Sequence, residues 1–160
     1  NLLDIGSGFG IFPYLLSKKI NLDITALEPD LFNSRFIKKK LKLKCISGFF
    51  NKNKIKKKFS FVTANKVIEH VKNPHGMTRN IYNILKKNGL FYIELPDARA
   101  SEKVSLINRE EFFLEHYHIF TKKSLTYMLK KNNFEILSLS SIKEPSGKFT
   151  LFAFAKKING

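Results

Sequence analysis

Residues 2–10 read LLDIGSGFG. Four strand-compatible residues, Leu2 to Ile5, run into glycines at 6, 8 and 10. An apolar helical segment, Ile11 to Lys19, follows at once. A strand that enters a glycine-rich turn and then a helix lets a ligand press against backbone N–H groups, because no β-carbon holds it away. On this reading all three glycines, with Ser7 between them, serve that close approach.

Outward from this unit, strand-like runs alternate with helix-like segments, the pattern of an α/β domain built on a mostly parallel sheet. A second strand, Ile24 to Leu27, ends at Glu28-Pro29-Asp30, where Asp30 is placed to cap a helix reaching about Lys40. Lys44 to Ser47 and Ser60 to Ala64 read as strands three and four. Pro74 begins a helix with Met77, Ile81, Ile84 and Leu85 on one face, expected to close at Asn88-Gly89. Leu90 to Leu95 is strand five. Thr121 caps a helix over Lys122 to Lys131, with Ser124 read as outside a capping box. Glu135 to Ser140, a Pro-Ser-Gly turn at 145–147 and Phe149 to Ala155 form an antiparallel hairpin. The expected fold is therefore α/β, a Rossmann-like and mostly parallel sheet with a C-terminal antiparallel hairpin and helices on both faces. Residues 1–160 form one domain, read as lacking its N-terminal portion because the chain opens directly on a strand without an initiator Met.

The spacing of the loop narrows the ligand. The dinucleotide fingerprint is G-x-G-x-x-G, whereas Gly6-Ser7-Gly8-Phe9-Gly10 brings the third glycine one residue early. Asp4 at the strand end would repel a pyrophosphate and suits a ligand with an ammonium group. Glu28, at the end of strand two, can accept hydrogen bonds from two ribose hydroxyls. A cationic amino acid joined to a nucleoside describes S-adenosylmethionine (SAM).

With these residues in view, the sequence resembles the class I SAM-dependent methyltransferases. LLDIGSGFG looks like their first motif, ALEPD like their ribose-binding acidic motif, and NKVIEHVKNP like the segment after their fourth strand. KKNGLFYIELPD and HIFTKKSLTYMLKKNNFEI extend the likeness over nearly the whole chain. The resemblance implies a seven-stranded sheet whose last strand is antiparallel. It also implies that Asp4, Gly6, Ser7, Gly8 and Gly10 hold the methionine part of the donor and Glu28 its ribose. Asn65, at the end of strand four, is counted with them. The loop after strand three falls near adenine; where many relatives carry Asp, this chain has Gly48-Phe49, so adenine recognition rests on Phe49 and backbone.

The acceptor side offers two stretches. Relatives that methylate base amines of nucleic acids carry Asn-Pro-Pro-aromatic after strand four, but this chain has Asn65-Lys66-Val67-Ile68, followed by Glu69-His70 as in relatives with small or sugar-linked substrates. The connection 96–120 is long and ends in EFFLEHYHIF (111–120), which gathers Glu115, His116, Tyr117 and His118. Long connections in compact domains are often functional. Histidine suits proton removal near neutral pH, so His116 is the first candidate base and His118 and His70 are the next, with Glu115 beside them. The alternative is a packed aromatic hinge, and for His70 a loop anchor. A metal site from His116, His118 and Glu115 is the other alternative, but no further ligand of obvious spacing appears, so none is expected.

Composition bounds the remaining choices. The net charge of +16 arises from 29 basic residues, of which Arg35, Arg79, Arg99 and Arg109 are the only arginines. Lysine-rich runs interleaved with Asn and Ile read as a solvated surface rather than a nucleic-acid groove, where the bidentate arginine fork dominates. The single Cys45 excludes an internal disulfide and a multi-cysteine zinc site. A reducing, cytoplasmic setting is expected, and no apolar run approaches the roughly 20 residues needed to span a bilayer. The expected activity is methyl transfer from SAM to a small-molecule or carbohydrate- or lipid-linked acceptor. The rivals are an RNA methyltransferase using Lys39 to Lys58, and a non-catalytic SAM-binding module.

Overall fold

The computed structural model describes residues 1–101 and 115–158. Residues 102–114 of the long connection lie outside them. In chain order the elements are β1 (Leu2–Ile5), α1 (Ile11–Lys19), β2 (Ile24–Glu28), α2 (Leu31–Lys39), β3 (Lys44–Ser47), β4 (Phe59–Asn65), α3 (Pro74–Ile84), β5 (Leu85–Pro96), α4 (Ala98–Ser101), α5 (Lys122–Lys131), β6 (Phe134–Lys143) and β7 (Phe149–Lys157). Single 3₁₀ turns at Lys52–Lys54 and Ile68–His70 flank β4.

The seven strands form one sheet in the order β3-β2-β1-β4-β5-β7-β6. Only β7 runs against its neighbours, pairing antiparallel with both β5 and β6. The seven-stranded sheet with an antiparallel last strand is thus as expected. β1 and β2 are buried along their whole length, which is why both read as apolar runs rather than alternating ones.

Register sorts the side chains into two faces. Leu3 lies beside Val62 and Val62 beside Phe91, while Ile5, Ala64, Ile93 and Ala153 continue the same face one layer on. These residues join Met77, Ile81 and Ile84 of α3 and Leu125, Met128 and Leu129 of α5 in a single core. The opposite face carries Asp4, Thr63, Tyr92 and Phe154 in register. Over its outer half, Phe61, Tyr92 and Phe154 stack with centroids 6.3 and 4.6 Å apart and, with Phe12 and Leu16 of α1, line an apolar groove.

Two local expectations need correction. α3 does not run on to Asn88-Gly89 but ends at Ile84, because Leu85 adopts an extended backbone and pairs with Phe59 at the start of β4. Burying Leu85 on the sheet outweighs one more helical residue. Asn88, with φ +58, turns the chain back so that Leu90 meets Phe61. Ser124 does complete a capping box: its N–H donates to Thr121 Oγ1 at 3.2 Å, and its hydroxyl meets the Thr121 N–H at 2.9 Å. The other helix starts agree with the sequence. Asp30 accepts from the Asn33 N–H at 2.8 Å, and Asn73 accepts from the Gly76 N–H at 2.8 Å just before Pro74.

Candidate functional site

The strand order reverses direction between β1 and β4, so the turns leaving their carboxyl ends diverge and open a crevice, the usual ligand position of such sheets. A cavity of about 570 Å³ lies there. The glycine loop forms one wall, Glu28 and Phe49-Phe50 another, and Lys66, Val67 and His70 with the start of α3 the third.

The glycine loop is tied to β2 at several points. The Gly6 and Ser7 N–H groups donate to the Leu27 carbonyl at 2.8 and 3.1 Å. The Gly8 N–H donates to Glu28 Oε2 at 2.7 Å, while Glu28 Oε1 accepts from the Asp30 N–H at 2.9 Å. One carboxylate, only 5% exposed, therefore fixes the loop and the entry to α2 together. The three glycines do not share one purpose. A β-carbon on Gly8, at φ +54, would meet open space, whereas one on Gly10 would lie 2.7 Å from Ile37 Cγ1. Gly10 lets α2 pack against the loop; Gly8 faces the cavity.

Asp4 lies one layer back, outside the cavity lining. It is 3% exposed and its Oδ1 accepts from the Thr63 hydroxyl at 2.6 Å. Burial pushes its carboxyl up to about 6, against the lowering effect of Thr63 and Ser7 and with help from the Glu28 charge. Ser7 is held locally, its hydroxyl donating to the Asp4 carbonyl at 3.0 Å. Asn65 sits half-buried at the end of β4, in register with Glu94. Phe49 is 85% exposed at the mouth, with Gly48 before it anchored by its N–H to the Glu28 carbonyl at 2.9 Å. Phe50 also lines the cavity; the sequence marks it only as the second ring of a pair.

The histidine candidates separate into two groups. His70 lines the cavity and its ring stands 4.7 Å from that of His116, centroid to centroid. His70 Nδ1 lies 3.1 Å from the Glu115 carbonyl oxygen. A carbonyl only accepts, so Nδ1 carries the proton and Nε2 is bare in the neutral ring. That Nε2 points toward Glu69 Oε1, 4.0 Å away. The Glu69 side chain is 1% exposed, and its backbone carbonyl accepts from the N–H groups of Tyr117 (2.9 Å) and His118 (3.3 Å). The turn after β4 and the segment 115–118 are therefore locked together beside the cavity. His118 turns elsewhere, donating from Nε2 to the Lys72 carbonyl at 3.2 Å, and Glu115 is exposed. The sequence groups His116 with Glu115 and His118 by proximity in the chain, whereas the structure brings its ring against His70; Glu69, adjacent to His70 in the chain, is not among the candidates read from sequence. Only the buried side-chain position of Glu69 distinguishes it, and that follows from tertiary packing.

Lys66, another cavity residue without a sequence signal, donates from Nζ to Glu144 Oε1 at 3.0 Å. Thr150 donates to the same carboxylate, and this bond, with the Lys66 charge, holds the Glu144 carboxyl below its usual range. Among the described residues no helix is long and apolar enough to cross a membrane.

Comparisons with known proteins place these features in context. A family model described as a methyltransferase domain matches residues 1–139. Over 58 residues the chain is 34% identical to a ubiquinone biosynthesis O-methyltransferase of Glaesserella parasuis serovar 5, a stretch covering 36% of this chain and 25% of that protein. The fold resembles a putative methyltransferase of Bacillus halodurans C-125 with TM-score 0.76 and 14% identity, covering 99% of this chain and 92% of the other. It also resembles magnesium protoporphyrin IX methyltransferase of Synechocystis PCC 6803 with bound SAH, at TM-score 0.74 and 11% identity, covering 98% and 74%.

Proposed function

This chain belongs to the class I SAM-dependent methyltransferase family, and we propose that it transfers the methyl group of SAM to an oxygen of a small-molecule or carbohydrate- or lipid-linked acceptor. The observation that carries this reading is one cavity bounded on one side by the Gly8–Glu28 unit and on the other by His70, with Glu69 and His116 behind it.

The residues fit the donor. Each Glu28 oxygen holds one backbone N–H and keeps a lone pair for a ribose hydroxyl. Gly8 leaves room for the methionine part, Asp4 one layer back favours its ammonium group, and Phe49 and Phe50 offer ring surface for the adenine. SAM, when bound, supplies a methyl group on a cationic sulfur that leaves as a neutral thioether.

The chain's remaining task is to seat the acceptor and remove its proton. Ile5, Leu27, Val67, Val71 and Met77 give the cavity an apolar lining that excludes water and orients an acceptor. At the rim, the bare Nε2 of His70, paired with His116, takes the proton from the acceptor hydroxyl. The named activity of the curated relative, an O-methyltransferase, supports oxygen as the acceptor atom.

The test is a methyl-transfer assay with tritiated donor against phenolic, carbohydrate and lipid-linked hydroxyl compounds. Label recovered in one acceptor class, with none in a generic RNA, supports the reading; efficient labelling of RNA overturns it.

A further inference from the structure

The geometry points to a divalent transition-metal site formed by Glu69, His70 and His116 at the edge of the cavity. The three donor groups come from two segments separated by 45 residues of chain, and one ligand atom from each lies within 4.8 Å of the others. Ions bound by imidazole and carboxylate sit about 2.0–2.2 Å from their ligands, so small rotations of the two rings and the carboxylate suffice to close the set around one ion.

Several features beyond proximity fit an ion. The Nδ1–H of His70 is donated to the Glu115 carbonyl, which fixes its tautomer and presents Nε2 as the ligand atom. This is the outer arrangement that orients metal-binding histidines. The Glu69 carboxylate is buried, and a buried carboxylate attracts a cation far more strongly than an exposed one. Its backbone carbonyl pins Tyr117 and His118, so His116 between Glu115 and Tyr117 is held at a fixed distance. The two lysines of this loop are drawn off: Lys66 onto Glu144, and Lys72 over the Tyr117 ring at 6.0 Å. Two imidazoles and one carboxylate favour zinc or a neighbouring transition ion over magnesium or calcium, and three protein ligands leave coordination positions open. His70 lines the cavity, which puts the site at its edge.

With the ion bound, His70 Nε2 is a ligand and no longer the base, and an acceptor hydroxyl on an open position loses its proton to solvent at lower pH than a free one, which is what methyl transfer to oxygen requires. That use rests on the acceptor reading above; binding of the ion does not.

The test uses the full chain stripped with chelator and titrated with Co²⁺, whose visible d–d band reports imidazole ligation, followed by displacement with Zn²⁺. One saturable equivalent, lost on Zn²⁺ addition, is expected. His70→Ala and His116→Ala should each weaken Co²⁺ binding by more than the roughly 10- to 100-fold typical of losing an outer-shell partner. His75→Ala, remote from the cluster, should leave the titration unchanged. His70→Gln and His116→Gln, which keep polar side chains of similar reach, serve where an alanine variant fails to fold. No saturable band in the wild type, or wild-type affinity in both folded histidine variants, overturns the proposal. SAM binding to the chelated protein is measured alongside by calorimetry, so failure of the donor reading is seen separately from failure of the ion site.

Discussion

The Gly8 N–H lies 2.7 Å from Glu28 Oε2 across the gap between the first two strands. That bond makes the carboxylate both a structural clamp and a wall of the cavity, so its removal has two separable consequences. Glu28→Gln keeps the shape, and each amide atom can still meet one partner only if it accepts. One of the two N–H groups, Gly8 or Asp30, then faces an amide NH₂ and loses its acceptor, which costs about 1–3 kcal/mol of stability. SAM affinity should fall as well, because a charged acceptor for the ribose hydroxyls is lost. Thermal melting with and without SAM checks both; unchanged SAM affinity would remove Glu28 from the donor site.

Gly8 and Gly10 should respond differently to alanine. Gly8→Ala adds a methyl group into open space and carries only the left-handed backbone strain, about 1–2 kcal/mol. Its main effect should be on SAM affinity, since the methyl group enters the cavity. Gly10→Ala carries the same strain and also a clash with Ile37, adding about 1–3 kcal/mol of overpacking. It should therefore lower the melting temperature more. Equal effects on stability would contradict the separate roles.

Asp4 gives the stability a definite pH dependence. Burial raises its carboxyl from 3.8 to about 6 in the folded chain. Between about pH 4 and pH 6 the folded state holds a proton that the unfolded state has released. Stability from this group therefore falls as pH rises through that window and is level above it. Asp4→Asn removes the penalty while still accepting from Thr63. At pH 7.5 it should be more stable than the wild type by up to about 3 kcal/mol, with the gap closing toward pH 4. The same variant should bind SAM more weakly, because the carboxylate that favours the ammonium group is gone. A variant less stable at pH 7.5 would show that the burial penalty is offset in a way the Thr63 bond does not explain.

The two histidine groups predict a split in turnover. His70→Ala should lower methyl transfer by roughly 10²- to 10⁴-fold with little change in SAM affinity. His118→Ala removes a hydrogen bond to the Lys72 carbonyl, worth about 0.5–1.5 kcal/mol, and should leave turnover within a few-fold. Steady-state assays of both variants with the true acceptor decide; a greater loss in His118→Ala would place the chemistry on the other imidazole.

What the sequence made legible follows from how local the determining interactions are. The β1 loop, the Glu28 position and the Asp30 cap depend on residues within a few positions of one another or on strict strand order, and each stands where it was expected. The end of α3 was misread because Asn88-Gly89 is a genuine helix-stop signal, yet Leu85 gains more by pairing beside Phe59, 26 residues earlier in the chain. The distinct role of Gly10 needed Ile37 in place before it could be seen. The meeting of Glu69 and His70 with His116 is longer-range still. Composition singled out EHYH, but only the docking of 115–118 on the turn after β4 selects which of its histidines meets the His70 ring.

Binding of SAM in this cavity is measured by titration calorimetry on the wild-type chain with SAM, S-adenosylhomocysteine and NADH. SAM and S-adenosylhomocysteine should each bind saturably and one-to-one, with binding abolished or strongly weakened in Glu28→Ala, and NADH should give no measurable heat. Binding of NADH without binding of SAM would contradict the donor reading.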